Sequence, residues 1–295
     1  MDRTKAVAAL IVLLALGGCA PSGSTRPIRI GSKNFTEQVI LGEIIAQYLE
    51  RRLHLPVERR LNLGGTLLAH QALRNGEIDL YPEYTGTALA AILKESVTSG
   101  PSDVLARVRS AYLRDFQIEW LDPIGIDNGF ALVVRGSDAR GRKIESLSDA
   151  ARANDGWILG AGYEFEQRAD GLPALNKTYG LRWRGRPKIM DLGLLYKALD
   201  QGQVTMIAAN ATDGLLSKLD LQALRDDKHA FPPYEVAIAV RRDSMLRTPG
   251  LREALLGLSG KITNSAMQAL NYKADGEHRS VADVAKEFLD TSGLR

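Results

Sequence analysis

Twice along this chain a helix-forming stretch ends in Ala-Leu-x-x-Gly, and a strand and a loop follow. In the first copy Leu67-Leu68 lead to Ala72-Leu73-Arg74-Asn75-Gly76, then Ile78-Asp79-Leu80-Tyr81, with Tyr84 eight residues beyond the glycine. In the second, Leu194-Leu195 lead to Ala198-Leu199-Asp200-Gln201-Gly202, with Asn210 at the matching place. A glycine closes a helix well because, lacking Cβ, it takes the left-handed backbone there at no steric cost. Two units that each deliver a residue to the carboxyl edge of a strand predict two similar α/β lobes, and ligands of open α/β sheets bind at such edges. Any two helix–strand pairs share part of this pattern, so the echo alone does not decide the matter.

The rest of the chain alternates in the same way. Ile28-Arg29-Ile30 reads as a strand, and Asn34 with Glu37 three residues on reads as a helix start. Val39, Ile40, Ile44, Ile45, Tyr48 and Leu49 then share one helical face. Further strands are expected at 130–134 and 157–161, with a helix at 173–179 closed by Gly180. The tail is helical, over 251–258, 264–274 and 281–289. Strands alternating with helices argue for an α/β fold with largely parallel sheets. At 295 residues the chain suffices for one large domain or two medium ones.

The first residues carry a second signal. Arg3 and Lys5 give a positive start, Ala6 to Leu16 is apolar, and Leu16-Gly17-Gly18-Cys19 follows. This is the pattern of a secretory leader, too short to span a bilayer. Its end is similar to the bacterial lipobox, in which small residues precede a cysteine that is lipidated and becomes the new N-terminus. The alternative is an ordinary leader that happens to contain cysteine. Cys19 is the one cysteine in the chain, so it has no intrachain disulfide partner. We expect a leader over 1–18, lipidation at Cys19 and a flexible tether over 19–27. That places the protein in the periplasm or at the cell surface, held to a membrane only by its lipid.

Several function classes lose support on composition and spacing. The formal charge of +3 is spread along the chain without a basic run interleaved with aromatics, so nucleic-acid binding is not expected. His54, His70, His229 and His278 stand in unlike contexts without metal-ligand spacing. Neither Gly-x-Ser-x-Gly nor Gly-x-x-x-x-Gly-Lys occurs. We therefore expect no catalysis, metal or cofactor.

Five stretches carry a family likeness. They are Ile30-Gly31-Ser32-Lys33-Asn34-Phe35-Thr36-Glu37; Gly76-Glu77-Ile78-Asp79-Leu80-Tyr81-Pro82-Glu83-Tyr84-Thr85-Gly86-Thr87; Glu164-Phe165 with Arg168 and Asp170-Gly171; Thr212-Asp213-Gly214; and Asp226-Asp227-Lys228 with Phe231-Pro232-Pro233-Tyr234. In order and spacing they resemble substrate-binding proteins of the glycine betaine/carnitine/choline (osmoprotectant) ABC transporters over nearly the whole mature chain. The resemblance implies a type II periplasmic-binding-protein fold, with two α/β lobes, two crossover strands near 131–135 and 236–241, and a ligand cleft between the lobes. Lobe one would comprise 28–134 plus 237–295 and lobe two 135–236.

The resemblance also assigns a site. Tyr84, Phe130, Asn210 and Tyr234 fall at cage positions that are usually all tyrosine. Lys33, Thr87 and Arg168 match positions that hold a ligand carboxylate, and Asn128 sits where a backbone carbonyl faces the ammonium group. A quaternary ammonium carries charge without an N–H, so aromatic faces must hold it, at roughly 0.5–2 kcal/mol per ring. A carboxylate on the same molecule wants Lys, Arg and hydroxyl donors. Phe130 keeps a ring without a hydroxyl and Asn210 has no ring, so the cation end departs from the family pattern. Tyr81, Trp120, Trp157 and Tyr163 read as packing aromatics.

The expected function is capture of a small betaine-type zwitterion by lobe closure and its delivery to an ABC permease and ATPase, by a monomeric lipoprotein. The alternatives are the same fold binding another amino-acid-like zwitterion, or a sensing or adaptor module without transport.

Overall fold

The computed structural model describes residues 26–95, 100–153 and 156–294. The expected leader, Cys19 and most of the tether lie outside these residues. The first part of the chain runs β1 (Ile28–Gly31), α1 (Thr36–Leu53), β2 (Val57–Arg60), α2 (Thr66–Arg74), β3 (Leu80–Tyr84), the short turn α3 (Thr85–Thr87), α4 (Pro101–Phe116) and β4 (Ile118–Trp120). The middle runs β5 (Phe130–Arg135), α5 (Gly136–Arg142), α6 (Leu147–Ala153), β6 (Leu159–Ala161), α7 (Tyr163–Gln167), α8 (Leu172–Tyr179), β7 (Lys188–Ile189), α9 (Leu192–Asp200), β8 (Met206–Asn210) and β9 (Leu221–Leu224). The chain then returns through β10 (Val236–Arg241) to α10 (Arg242–Arg247), α11 (Leu251–Leu256), α12 (Asn264–Asp275) and α13 (Val281–Ser292).

Two five-stranded sheets result, ordered β2-β1-β3-β10-β4 and β7-β6-β8-β5-β9. Both are mixed, not largely parallel. β1 lies parallel to β2 and β3, but β10 runs antiparallel to β3 and β4. In the other sheet β5 runs antiparallel to β8 and β9. The reversed strands are the first that the chain lays down after each change of sheet: it enters from the far side and pairs without a right-handed βαβ crossover.

This topology corrects two details. The strands expected to cross, 131–135 and 236–241, each lie within one sheet. The changes of sheet occur in the segments before them, which touch at the isolated bridge Asp127–Glu235. Residues 130–134 accordingly pair in the second sheet, not in the first lobe where the sequence boundary left them.

Each sheet is covered on both faces, and the strands show it by alternation. In β10, Val236, Ile238 and Val240 join the cluster under α1, whereas Ala237 and Ala239 join the one with Tyr81, Tyr112 and Trp120. In β8, Met206 and Ala208 face the cluster of Trp157 and Phe165, while Ile207 and Ala209 face Leu195 and Leu199. Helix α1 is buried on more than one side, because the tail helices α11, α12 and α13 pack over it. At roughly 1.5–3 kcal/mol for each large apolar side chain buried, that tail is integral to the first lobe.

The repeated unit is real in three dimensions. Gly76 and Gly202 both take the left-handed backbone, at φ +71° and +68°. Each is followed by a strand that ends at the residue singled out above, Tyr84 for β3 and Asn210 for β8. Tyr84 pairs with Val236, and Asn210 pairs with Phe130.

Candidate functional site

Between the sheets lies a cavity of about 1270 Å³, and its walls include Lys33, Tyr84, Thr87, Asn128, Phe130, Arg168, Asn210 and Tyr234. All eight residues picked from the sequence are thus brought to one place. Lys33 follows β1, while Tyr84 and Thr87 flank the turn that leaves β3. Asn128 and Tyr234 lie on the two segments that change sheet, in mutual contact through Asn128 N donating to Tyr234 O at 3.1 Å. Phe130 opens β5, Asn210 ends β8, and Arg168 caps α7.

The two cations are held by acids that the sequence reading did not assign to the site. Lys33 Nζ donates to Glu83 Oε1 at 2.5 Å and to Thr66 Oγ1 at 3.2 Å, and it stands 4.8 Å from the centre of the Tyr84 ring. Arg168 grips Asp170 with two bonds, Nε to Oδ1 at 2.9 Å and Nη2 to Oδ2 at 2.5 Å. Its Nη1 reaches Glu164 at 3.2 Å and its Nη2 reaches Thr87 Oγ1 at 3.0 Å. The guanidinium also lies 5.2 Å from the ring centre of Phe130 and 5.9 Å from that of Tyr234. Burial works against the Arg168 charge, but Asp170 more than compensates and holds its pKa above the ordinary value.

A count of protons shows what is left for a ligand. An ammonium has three N–H, a guanidinium five, and a hydroxyl one. Among the described residues Lys33 has two acceptors, and the bonds from Arg168 engage four of its five N–H. Thr87 Oγ1 accepts from Arg168, so its own proton still points elsewhere. Three donors therefore remain, one each on Lys33, Arg168 and Thr87, a set suited to one carboxylate.

The aromatic wall is built on carboxylates as well. Tyr84 donates its hydroxyl to Glu37 Oε1 at 2.7 Å, and Tyr234 donates to Asp170 Oδ2 at 2.7 Å. Phe35 stacks on Tyr84 with centroids 6.1 Å apart, and Phe130 packs edge-on against Phe165, Phe231 and Tyr234. Burial raises both phenol pKa values well above normal, and the neighbouring carboxylates add to the effect.

Glu37 was expected to cap α1. Instead, Phe35 occupies the cap position without a side-chain bond, and Glu37 turns inward. It also accepts from Asn128 Nδ2 at 2.9 Å and from the Thr212 hydroxyl. Burial raises its carboxyl pKa.

Asn210 is folded back on Asp213, donating from N at 3.0 Å and from Nδ2 at 3.3 Å. Burial pushes Asp213 up to about 6, against its hydrogen bonds, and the Glu37 charge contributes. Glu164 is displaced the other way. Burial would raise it, but the Lys33 charge and the Thr66 N–H bonded at 2.5 Å outweigh that and lower it.

One packing assignment fails. Tyr81, Trp120 and Trp157 are buried, but Tyr163 is 62% exposed and lines the cavity. With Leu67, Leu68, Ile189 and Leu194, also exposed, it forms an apolar lip drawn from both lobes. Among the described residues no cluster of three or more His, Cys, Asp or Glu side chains could hold a metal ion, and no helix is long and apolar enough to cross a membrane.

Comparison with known proteins is consistent with this geometry. The family model described as the substrate binding domain of ABC-type glycine betaine transport systems matches residues 26–291. An ergothioneine transport permease/ergothioneine binding protein of Helicobacter pylori is 34% identical over 270 residues, covering 91% of this chain but only 48% of that one, so this chain spans about half of it. The carnitine transport binding protein of Listeria monocytogenes is 33% identical over 300 residues, covering 97% of this chain and 96% of that one. A crystal structure of a glycine betaine/carnitine/choline ABC transporter protein superposes with a TM-score of 0.76 at 30% identity, covering 90% of this chain and 99% of that one.

Proposed function

Because this chain belongs to the family of substrate-binding domains of ABC-type glycine betaine transport systems, we propose that it captures a zwitterionic quaternary-ammonium compound between its lobes and hands it to a permease. The observation that carries this reading is the pairing, on one cavity, of three aromatic rings (Tyr84, Phe130, Tyr234) with three unused donors (Lys33, Thr87, Arg168). Rings attract a cation that has no N–H, and the donors take the carboxylate. Lys33, Tyr84 and Thr87 come from the first lobe, and Arg168 and Asn210 from the second. A ligand touching both sets favours the closed state, because only that state offers both. The closed form, tethered to a membrane by a lipid on Cys19, is what the permease and its ATPase would meet. The protein acts as a monomer without catalysis.

Asn210 shapes the choice of ligand. Where a ring is missing, an amide adds hydrogen-bonding capacity, which suits a betaine with a polar substituent. The ergothioneine-named relative makes a heteroaromatic amino-acid betaine a fair member of the test set.

The test is calorimetric titration of the soluble mature protein, with Cys19 removed, using glycine betaine, proline betaine, carnitine, choline and ergothioneine. We expect tight binding of at least one carboxylated betaine and weak or no binding of choline. Equal affinity for choline would refute the carboxylate role, and silence across the panel from folded protein would refute the quaternary-ammonium reading.

A further inference from the structure

The hydroxyl of Tyr84 goes to a carboxylate with an unusual set of partners. Glu37 is 2% exposed and accepts from Tyr84 OH, Asn128 Nδ2 and Thr212 Oγ1. None of these carries a charge. The Asn128 amide is fixed in orientation, because its Oδ1 accepts from Thr212 N at 3.1 Å and its Nδ2 must therefore face Glu37. Every partner is a donor, which is what an ionised carboxylate needs and a protonated one does not. Asp170, which holds the other cage tyrosine, differs: its charge is matched by the bidentate Arg168.

A phenol that donates to an anion becomes richer in electrons. Hydrogen-bonded groups polarise one another, and the effect is strongest for charged acceptors in a low-dielectric interior. The attraction of a ring for a cation comes from the negative charge on its face. A buried, uncompensated carboxylate on the hydroxyl of a cage ring must therefore deepen that face, and its field acts on a cation in the same direction. It does nothing comparable for a neutral group of the same shape.

We propose that Glu37 is a specificity-determining residue that acts through Tyr84, biasing the cleft toward a cationic group over a neutral isostere. The inference rests on the quaternary-ammonium reading above, and it concerns a residue that does not line the cavity. It accounts for a carboxylate that is buried beneath the cage with only uncharged hydrogen-bond donors around it.

The experiment compares glycine betaine with 3,3-dimethylbutanoate, in which carbon replaces the ammonium nitrogen. Wild type, Glu37→Gln and Tyr84→Phe are each titrated with both. Glutamine keeps an acceptor for Tyr84 and Asn128 and can donate to Thr212, so the packing is retained while the charge is lost. The betaine-to-isostere affinity ratio should fall ~3- to 10-fold in Glu37→Gln and in Tyr84→Phe, with affinity for the isostere itself nearly unchanged. Equal loss for both probes would mean that Glu37 only holds the fold, and an unchanged ratio would mean that it has no influence on charge preference; either overturns the inference. A second readout needs no ligand. In protein carrying tyrosine 13C-labelled at Cζ, with the Tyr84 signal assigned by Tyr84→Phe, Glu37→Gln should move that signal upfield. A signal that stays in place overturns the inference even where neither probe binds, whereas absent binding by itself counts against the quaternary-ammonium reading.

Discussion

Replacing Arg168 by methionine removes one end of the proposed carboxylate site while keeping an unbranched apolar stem against Phe130 and Tyr234. The guanidinium is 12% exposed, and the bonds it makes engage four of its five N–H. A ligand carboxylate would take the fifth. A hydrogen bond to a charged group contributes about 1.5–3 kcal/mol, which corresponds to a roughly 10- to 150-fold rise in Kd at 1.4 kcal/mol per decade. Choline has no carboxylate, so its affinity should move by less than about threefold. The cost to stability is separate: Asp170 would remain buried without its cation, which typically costs about 3–5 kcal/mol. Thermal unfolding without ligand would report that loss, and calorimetry at a temperature where the variant is folded would report affinity. Equal loss for choline and for the tightest carboxylated betaine would refute the role given to Arg168, as would a loss below threefold for the betaine.

Two further substitutions test the loop that follows β8, and a third in α9 serves as a control. Asp213 titrates at about 6 in the folded protein, above its ordinary 3.8. The native state then binds the proton more tightly, so stability falls as pH rises through that window. The two-unit shift corresponds to ~3 kcal/mol. Asp213→Asn should therefore gain about that much on wild type between pH 4 and pH 7 in urea unfolding, and a pH-independent difference would refute the assignment. Gly214 sits where a Cβ would lie 2.3 Å from Tyr272 N and 2.5 Å from Tyr272 Cα. Gly214→Ala should thus destabilise by about 1–3 kcal/mol by forcing the loop off α12. Gly193→Ala, in helix α9 with open space at its Cβ, should be neutral or slightly stabilising.

Most of the scaffold was legible in the sequence because it follows from periodicity and punctuation. The helix–glycine–strand unit fixed the ends of β3 and β8, and hence the placement of Tyr84 and Asn210. The direction of β5 and β10 was not legible. Their apolar runs look the same whichever way they pair, and only the route of the chain between sheets decides. The site residues came from resemblance to a family and all reach one cavity. The carboxylates beneath them were missed for a physical reason. Glu37, Glu83 and Asp170 have no local sequence signature of burial, since charged residues default to the surface and the partners that make burial tolerable are brought by tertiary structure. Glu37 in particular sits three residues after Asn34, where a helix cap is the simpler reading. Tyr163 failed in the opposite sense: an aromatic residue beside a strand suggests core, yet the lip of a cleft also collects them.

The contacts that span the lobes divide into two sets, and the division bears on how closure is controlled. Thr87 with Arg168 joins two groups on the cavity wall, and buried Thr66, between the lining residues Gly65 and Leu67, holds Glu164 of that wall. Glu37 with Thr212, Gln268 with Ala211 and Asn271 with Thr212 join groups away from it, with the loop after β8 seated on α12. Rotation that widens the cavity must break the first set, whereas the second lies close to the segments that change sheet, at Asn128. A ligand therefore does not close two independent bodies. In the proposed function it would act on a pair already joined on one side, adding its own contacts to those of Glu164 and Arg168, which opening exchanges for water. Each such exchange is small in net terms, about 0.5–1.5 kcal/mol for a neutral hydrogen bond and about 1.5–3 for a charged one. A carboxylate that completed the last N–H of Arg168 and the third of Lys33, as proposed, would supply a bond of that size to each lobe at once. Its hold on the closed state would thus come from bridging the lobes and not from the strength of either contact alone.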